Sequence, residues 1–139
     1  MESFNEYGDI LSEISSIKAI HNDYNFIIGG DFNVDPRRIN SRNLALLKDF
    51  LSIESLSCVT FDIVENNFTR KGSNDETSFI DHFIVSKNLE CSVDVTNEGH
   101  NLSDHYSVNL QTELQSELTK NKNVINYFIT GTVPQMIKF

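Results

Sequence analysis

The chain has 139 residues, 39% of them apolar, and a formal net charge of −9 at pH 7. This length suffices for one domain with its own core, and no apolar run reaches the roughly 18 residues of a membrane span. The acidic start, Met1-Glu2-Ser3, is not a secretory signal, so we expect an intracellular protein with no membrane partner. The acidic balance argues against a broad basic nucleic-acid face. A small basic rim is still available from Arg37, Arg38, Arg42, Arg70 and Lys71.

The cysteines and histidines do not form a zinc motif. Cys58 and Cys91 are far apart in sequence, and neither has metal-ligand spacing to His21 or His100. Both cysteines are therefore predicted to be buried, reduced thiols rather than a disulfide.

The first third of the chain predicts a helix, a strand and a second helix. Apolar residues recur at three- and four-residue steps over residues 4–20, which indicates one face of a helix. The continuous apolar run 25–28, followed by two glycines, is typical of a strand buried on both faces. Ser41 is the expected N-cap of the second helix. The apolar stripe of that helix comprises Leu44, Leu47, Phe50 and Leu51.

Short strands are predicted after the second helix. They lie near residues 56–61, 67–70, 79–85, 90–96 and 105–114, with a polar loop at 72–77. The intervals are too short for crossover helices, which favours an α/β (α+β) fold with one mixed, mostly antiparallel sheet and two main helices. Residues 119–139 show no clear period and remain unassigned.

A first polar motif, Gly30-Asp31-Phe32-Asn33, ends the first predicted strand. Asp31 and Asn33 are two residues apart, so their side chains can point the same way. Asp31 could then hold or deprotonate a water, and Asn33 could donate its amide N–H to a phosphate oxygen. The structural alternative is an ordinary Asx turn, in which both residue types are common.

Two further motifs, Ser78-Phe79-Ile80-Asp81-His82 and Ser103-Asp104-His105, combine acids with imidazoles. Asp81 lies in an apolar strand, and a buried carboxylate needs a partner. His82 is adjacent and points to the opposite face, so it is predicted to be a surface or half-buried residue. His105 is the better partner, because a carboxylate fixes the tautomer of an imidazole and stabilises its cation. Asp104 offers the oxygen ligands that divalent cations prefer.

These three motifs, in this order, resemble those of the endonuclease/exonuclease/phosphatase superfamily, the deoxyribonuclease I-like enzymes. The strings Phe-Ile-Asp-His-Phe-Ile-Val-Ser and Asn-Leu-Ser-Asp-His-Tyr-Ser-Val are most similar to the endonuclease domain of non-LTR (LINE-type) retrotransposons. The resemblance covers about residues 4–112. It implies a two-layer β-sandwich flanked by helices, DNA as the substrate, and a location that includes the nucleus if the protein derives from a retroelement.

The resemblance also implies roles for the site residues. Asp31 orients or activates the attacking water, and Asn33 contacts the scissile phosphate. Asp81 pairs with His105, which stabilises the transition state. Asp104 assists a Mg²⁺ site together with Asp31, and Mn²⁺ is an alternative metal. The implied reaction is metal-assisted hydrolysis of a phosphodiester.

The resemblance places only the C-terminal half of the family fold in this chain. No residue matches the asparagine, the principal metal-binding glutamate, or the tyrosine or histidine that the N-terminal half supplies. We therefore expect a partial domain over 1–118, a tail of uncertain structure over 119–139, and impaired activity alone. A single layer would expose an apolar face, through which the missing half or a second copy would bind.

Two other functions fit the same sequence. The acidic balance and the unmatched glutamate fit a non-catalytic interaction protein of the same fold. The short loops fit a phosphodiesterase or phosphatase of the same superfamily that acts on inositol phosphates or lipids.

Overall fold

The computed structural model describes residues 4–96, 103–115, 122–131 and 134–139. Over these ranges it has two α-helices, α1 (Phe4–Ile20) and α2 (Arg42–Ile53), and a 3-10 helix at Val59–Ile63. No helix in the described ranges is long and apolar enough to cross a bilayer. The strands are β1 (Phe26–Asp31), β2 (Leu56–Cys58), β3 (Arg70–Lys71), β4 (Thr77–Ser78), β5 (Asp81–Ser86), β6 (Cys91–Thr96), β7 (Ser107–Gln115), β8 (Lys122–Ile129) and β9 (Gln135–Lys138).

The described strands form three sheets rather than the single mixed sheet that was predicted. A central sheet has the order β2-β5-β1-β9, an outer sheet has the order β6-β7-β8, and β3 pairs with β4. Every described strand pair is antiparallel. The α+β class and the deoxyribonuclease I-like architecture are as predicted. The number of sheets was wrong because β6 and β7 pair with each other and not with β5.

Both helices pack on one face of the central sheet, and the sequence predicted each of them. α1 spans the residues expected from its apolar period. α2 begins after Ser41, whose side chain accepts a hydrogen bond from the Leu44 N–H at 3.3 Å. The cluster on this face includes Tyr7, Leu11, Ile14, Ile28, Leu44, Leu47, Phe50 and Ile84.

The opposite face of the central sheet is covered by the outer sheet, which corrects the expectation of an exposed apolar face. β1 alternates, so that Ile28 faces the helices while Ile27 faces the outer sheet. The second cluster joins Ile27, Phe83 and Val85 to Val108 and Leu110, and all five are buried. Residues beyond 119 make this possible, since β8 extends the outer sheet and β9 pairs with β1.

Both cysteines are free thiols, as predicted. Cys58 is buried, and burial raises its pKa to about 12. Cys91 lies half-buried on β6, so the prediction that both thiols are fully buried holds for Cys58 alone.

Candidate functional site

The backbone pairing of β1 with β5 brings the first two motifs together. Asp31 and Asp81 are direct cross-strand partners at one end of this ladder. Gly30, directly before Asp31 in β1, has φ 154°, a conformation that residues with a Cβ rarely adopt. The two carboxylates therefore meet because of strand register.

The third motif reaches the site through a separate set of backbone contacts. Arg70 and His105 form an isolated antiparallel bridge. On either side of it, the Tyr106 N–H donates to the Thr69 carbonyl at 2.7 Å and the Lys71 N–H donates to the Asp104 carbonyl at 2.9 Å. The residues before β7 are thus fixed beside β3, with the His105 imidazole directed at Asp81.

His105 lies between two carboxylates. Its Nδ1 is 2.8 Å from Asp81 Oδ2, and its Nε2 is 3.9 Å from Asp31 Oδ2. The Asp81 side chain is fully buried, whereas Asp31 is partly open to solvent. The structure therefore shows the acid–imidazole pair that the sequence predicted. One ligand atom from each of the three residues lies within 4.8 Å of the others, which makes them a group that could hold a metal ion.

The buried carboxylate of Asp81 has an unused oxygen. Burial raises its pKa, against the opposing effects of the hydrogen bond and the charge of His105. Its Oδ1 is buried and has no hydrogen-bond partner among the described residues. A buried oxygen without a donor costs free energy that a cation ligand would recover. The residues present therefore fit a divalent cation.

Asn33 and Asp104 lie at the same rim of the central sheet. Asn33 adopts a left-handed conformation with φ 50°, and its N–H donates to Asp31 Oδ1 at 2.8 Å, so the Asx turn is present as well. Asp104 Oδ2 accepts a hydrogen bond from Arg70 Nε at 2.9 Å, and its Oδ1 is 3.9 Å from His105 Nε2. Asp104 is not part of the group of three, and its part in a metal site remains a prediction.

Thr69 has a role that sequence reasoning missed. Its buried Oγ1 accepts the N–H groups of Ile80 at 3.0 Å and of Asp81 at 3.1 Å. These bonds fix the backbone at the start of β5. The only available signal was the position of Thr69 directly before Arg70.

His82 contradicts its prediction as a surface or half-buried residue. It is fully buried and stacked on Phe79. Its Nε2 donates to the Val34 carbonyl at 2.7 Å, and its Nδ1 accepts from Thr60 Oγ1 at 2.8 Å. Burial lowers its pKa to about 4, so the ring is neutral. The prediction failed because both faces of the central sheet are covered, so a residue opposite Asp81 is buried too.

A groove of about 610 Å³ opens beside the site. Its polar end contains Asp31, Asn33, Arg70 and His105. Its apolar wall includes Tyr7, Ile10 and Ile14 of α1 and Met136 of β9. A groove of this size accommodates a small ligand or one part of a larger one.

A family model described as endonuclease-reverse transcriptase matches residues 2–109. The matched span includes Asp31, Asn33, Asp81, Asp104 and His105, and it ends within β7. Comparisons with the curated proteins and with the solved structures found no match.

Proposed function

The chain belongs to the endonuclease-reverse transcriptase family of the endonuclease/exonuclease/phosphatase superfamily, and we propose that it is a divalent-cation-dependent phosphodiester hydrolase of retroelement origin that cuts DNA. The observation that carries the proposal is the position of the His105 imidazole between the buried Asp81 and the partly exposed Asp31. This arrangement suits proton handling at a phosphate.

Asp81 fixes the function of the imidazole. With the Nδ1 proton donated to Asp81 Oδ2, the Nε2 of His105 faces the groove and Asp31. A protonated Nε2 donates a hydrogen bond to a phosphate oxygen and stabilises the charge that develops on it. Asp31 Oδ2 is the acceptor for a proton of the attacking water. Asn33, exposed at the same rim, offers its side-chain N–H to a second phosphate oxygen.

The charge of the site supports a cation requirement. Three carboxylates, Asp31, Asp81 and Asp104, lie within reach of His105. Within the described part of the chain, Arg70 is the one guanidinium that lines the groove beside them. An anionic phosphodiester would be repelled by this excess of negative charge. Asp31 and the unpartnered Oδ1 of Asp81 would hold the cation, because both ring nitrogens of His105 carry protons in this arrangement. A bound Mg²⁺ or Mn²⁺ would supply charge neutralisation and Lewis-acid activation at the phosphate.

We further propose that this chain alone is a slow enzyme. The metal-capable group within the described residues has no glutamate. Glu13 on α1 lines the same groove, but it does not belong to that group. A further carboxylate, supplied by another polypeptide segment, would complete the cation site and raise the rate.

A plasmid-nicking assay tests the proposed function. Supercoiled DNA is incubated with the chain and millimolar Mg²⁺ or Mn²⁺, and nicked circles are quantified with and without a chelator. His105→Ala should lower the nicking rate by about 10²- to 10⁴-fold, because general acid–base and charge-stabilising groups contribute on that scale.

The matched control is His21→Ala. His21 lies in the turn after α1 and contacts Lys138, away from the groove, so its removal should leave nicking unchanged. Nicking that survives His105→Ala would reject His105 as the reacting group. A wild-type chain that leaves DNA intact in both metals would reject catalysis by this chain alone.

A further inference from the structure

Arg70 lies beside the residues to which the proposed function assigns roles. It belongs to β3, its backbone bridges His105, and its side chain lines the polar end of the groove with Asp31 and Asn33. Among the residues that are described, it is the only arginine or lysine in the lining of the groove. The side chain is 37% exposed, so it is accessible to a ligand.

The guanidinium of Arg70 is fixed on one side. Its Nε donates to Asp104 Oδ2 at 2.9 Å, which sets the plane of the group. Its Nη1 and Nη2 groups make no hydrogen bond to any described residue. The neighbouring basic side chains are already paired with other carboxylates. Arg37 donates through Nε and Nη2 to Asp35, and Lys71 forms an ion pair with Asp75.

We propose that Arg70 is a phosphate-binding residue of this site and that Asp104 is the positioning residue that orients it. The proposal rests on the proposed function and names the group that holds the substrate anion. An arginine fixed through Nε presents its two Nη groups as a fork that matches two oxygens of a phosphate. Its charge offsets part of the carboxylate excess beside His105. Asp104 therefore acts on the substrate through Arg70.

The test is the affinity for inorganic phosphate, used as the probe at saturating Mg²⁺ and followed by amide NMR shifts. Arg70→Gln should weaken phosphate binding by about tenfold to a hundredfold, the scale of lost charge-assisted hydrogen bonds. Arg70→Lys keeps the charge but loses the two-pronged geometry of the guanidinium. Its phosphate affinity should therefore lie between those of the wild type and of Arg70→Gln. The control is Arg38→Gln, which removes an exposed arginine outside the groove and should bind like the wild type.

Asp104→Ala tests the positioning role through the sign of its effect. If Asp104 orients Arg70, its removal weakens phosphate binding while the Mg²⁺ affinity, measured without phosphate, is unchanged. If Asp104 contributes only negative charge, its removal tightens phosphate binding, which would overturn its assignment. A lower Mg²⁺ affinity in Asp104→Ala would overturn it too, since Asp104 would then be a metal ligand.

Two results would overturn the role of Arg70. One is an Arg70→Gln variant, native by its amide spectrum, that binds phosphate as tightly as the wild type. The other is a wild-type chain that binds no phosphate in the presence of Mg²⁺. Phosphate binding that depends on Arg70 in a chain that does not nick DNA would leave this inference standing while the proposed function fails.

Discussion

Asp35 fixes the turn that follows the first motif. Its carboxylate accepts hydrogen bonds from the Arg37 N–H and side chain and from the Phe79 N–H at 3.1 Å. This connects the loop carrying Asn33 to the start of β5. Burial acts to raise the pKa of Asp35, but the hydrogen bonds and charge of Arg37 and the Phe79 N–H outweigh it and hold the pKa below its ordinary value.

Asp35→Asn should destabilise the fold and remove part of its acid sensitivity. An asparagine cannot accept all of these donors, so we expect a loss of roughly 1–3 kcal/mol of unfolding free energy at neutral pH. Because the folded-state pKa is depressed, the carboxylate stabilises the wild type above the ordinary pKa of 3.8, and this stabilisation disappears as the pH falls through the folded value. Urea denaturation across this pH range measures both effects.

The control for this comparison is Asp49→Asn, which changes an exposed carboxylate on α2. The unfolding free energy of this variant should match that of the wild type at each pH. Two results would show that this carboxylate does not hold the turn. In one, Asp35→Asn is as stable as the wild type at neutral pH; in the other, it loses as much unfolding free energy as the wild type when the pH is lowered.

Helix α2 shows how much of an element can be predicted from local sequence. Its N-cap and its apolar stripe were predicted, because capping and a 3.6-residue period depend on neighbouring residues only. The short strands β3 and β4 were harder to place. Each is two residues long, and their pairing depends on the contacts of Thr69 and Asp104 with distant parts of the chain.

The cap of α2 can be tested by substitution of Ser41. Ser41→Ala should lower the unfolding free energy by about 1 kcal/mol, because the Leu44 N–H loses its acceptor. Ser41→Gly should cost only a few tenths of a kcal/mol, since glycine is a tolerated N-cap. Chemical denaturation of the two variants makes the comparison. Equal losses in both, or no loss in Ser41→Ala, would contradict the assignment of this cap.

At the scale of the molecule, the sequence predicted the class of the fold and the pairing of Asp81 with His105, but not how its layers are completed. On β8 the exposure alternates, with Phe128 68% exposed between the partly buried Tyr127 and Ile129. All three residues are apolar, so the sequence shows no matching alternation of polarity. β9 is an edge strand whose partner is β1, more than a hundred residues earlier. Such pairings are decided by tertiary contacts, which no local pattern records.

Convergence of the motifs was predictable for a different reason. The first two motifs lie at the paired ends of β1 and β5, and strands paired in one sheet bring their ends to a common rim. The third motif precedes β7 of the outer sheet and reaches that rim through the bridge between Arg70 and His105. The pair formed by Asp81 and His105 follows from the cost of an unpaired buried carboxylate. The ion pair of Arg70 with Asp104 did not follow from spacing, because it depends on the backbone bridge between Arg70 and His105.

The most direct test of the account is a Mg²⁺ titration followed by amide NMR, because the three motifs are argued to form one cation-binding site. We predict saturable shifts at millimolar Mg²⁺, concentrated at Asp31, Asp81 and His105. Asp31→Asn keeps the oxygen that accepts the Asn33 N–H but loses the charge, and it should abolish these shifts, whereas Asp49→Asn should not. The account would be contradicted if Mg²⁺ caused no shifts, if the shifts spread over other acidic surfaces, or if they persisted in Asp31→Asn.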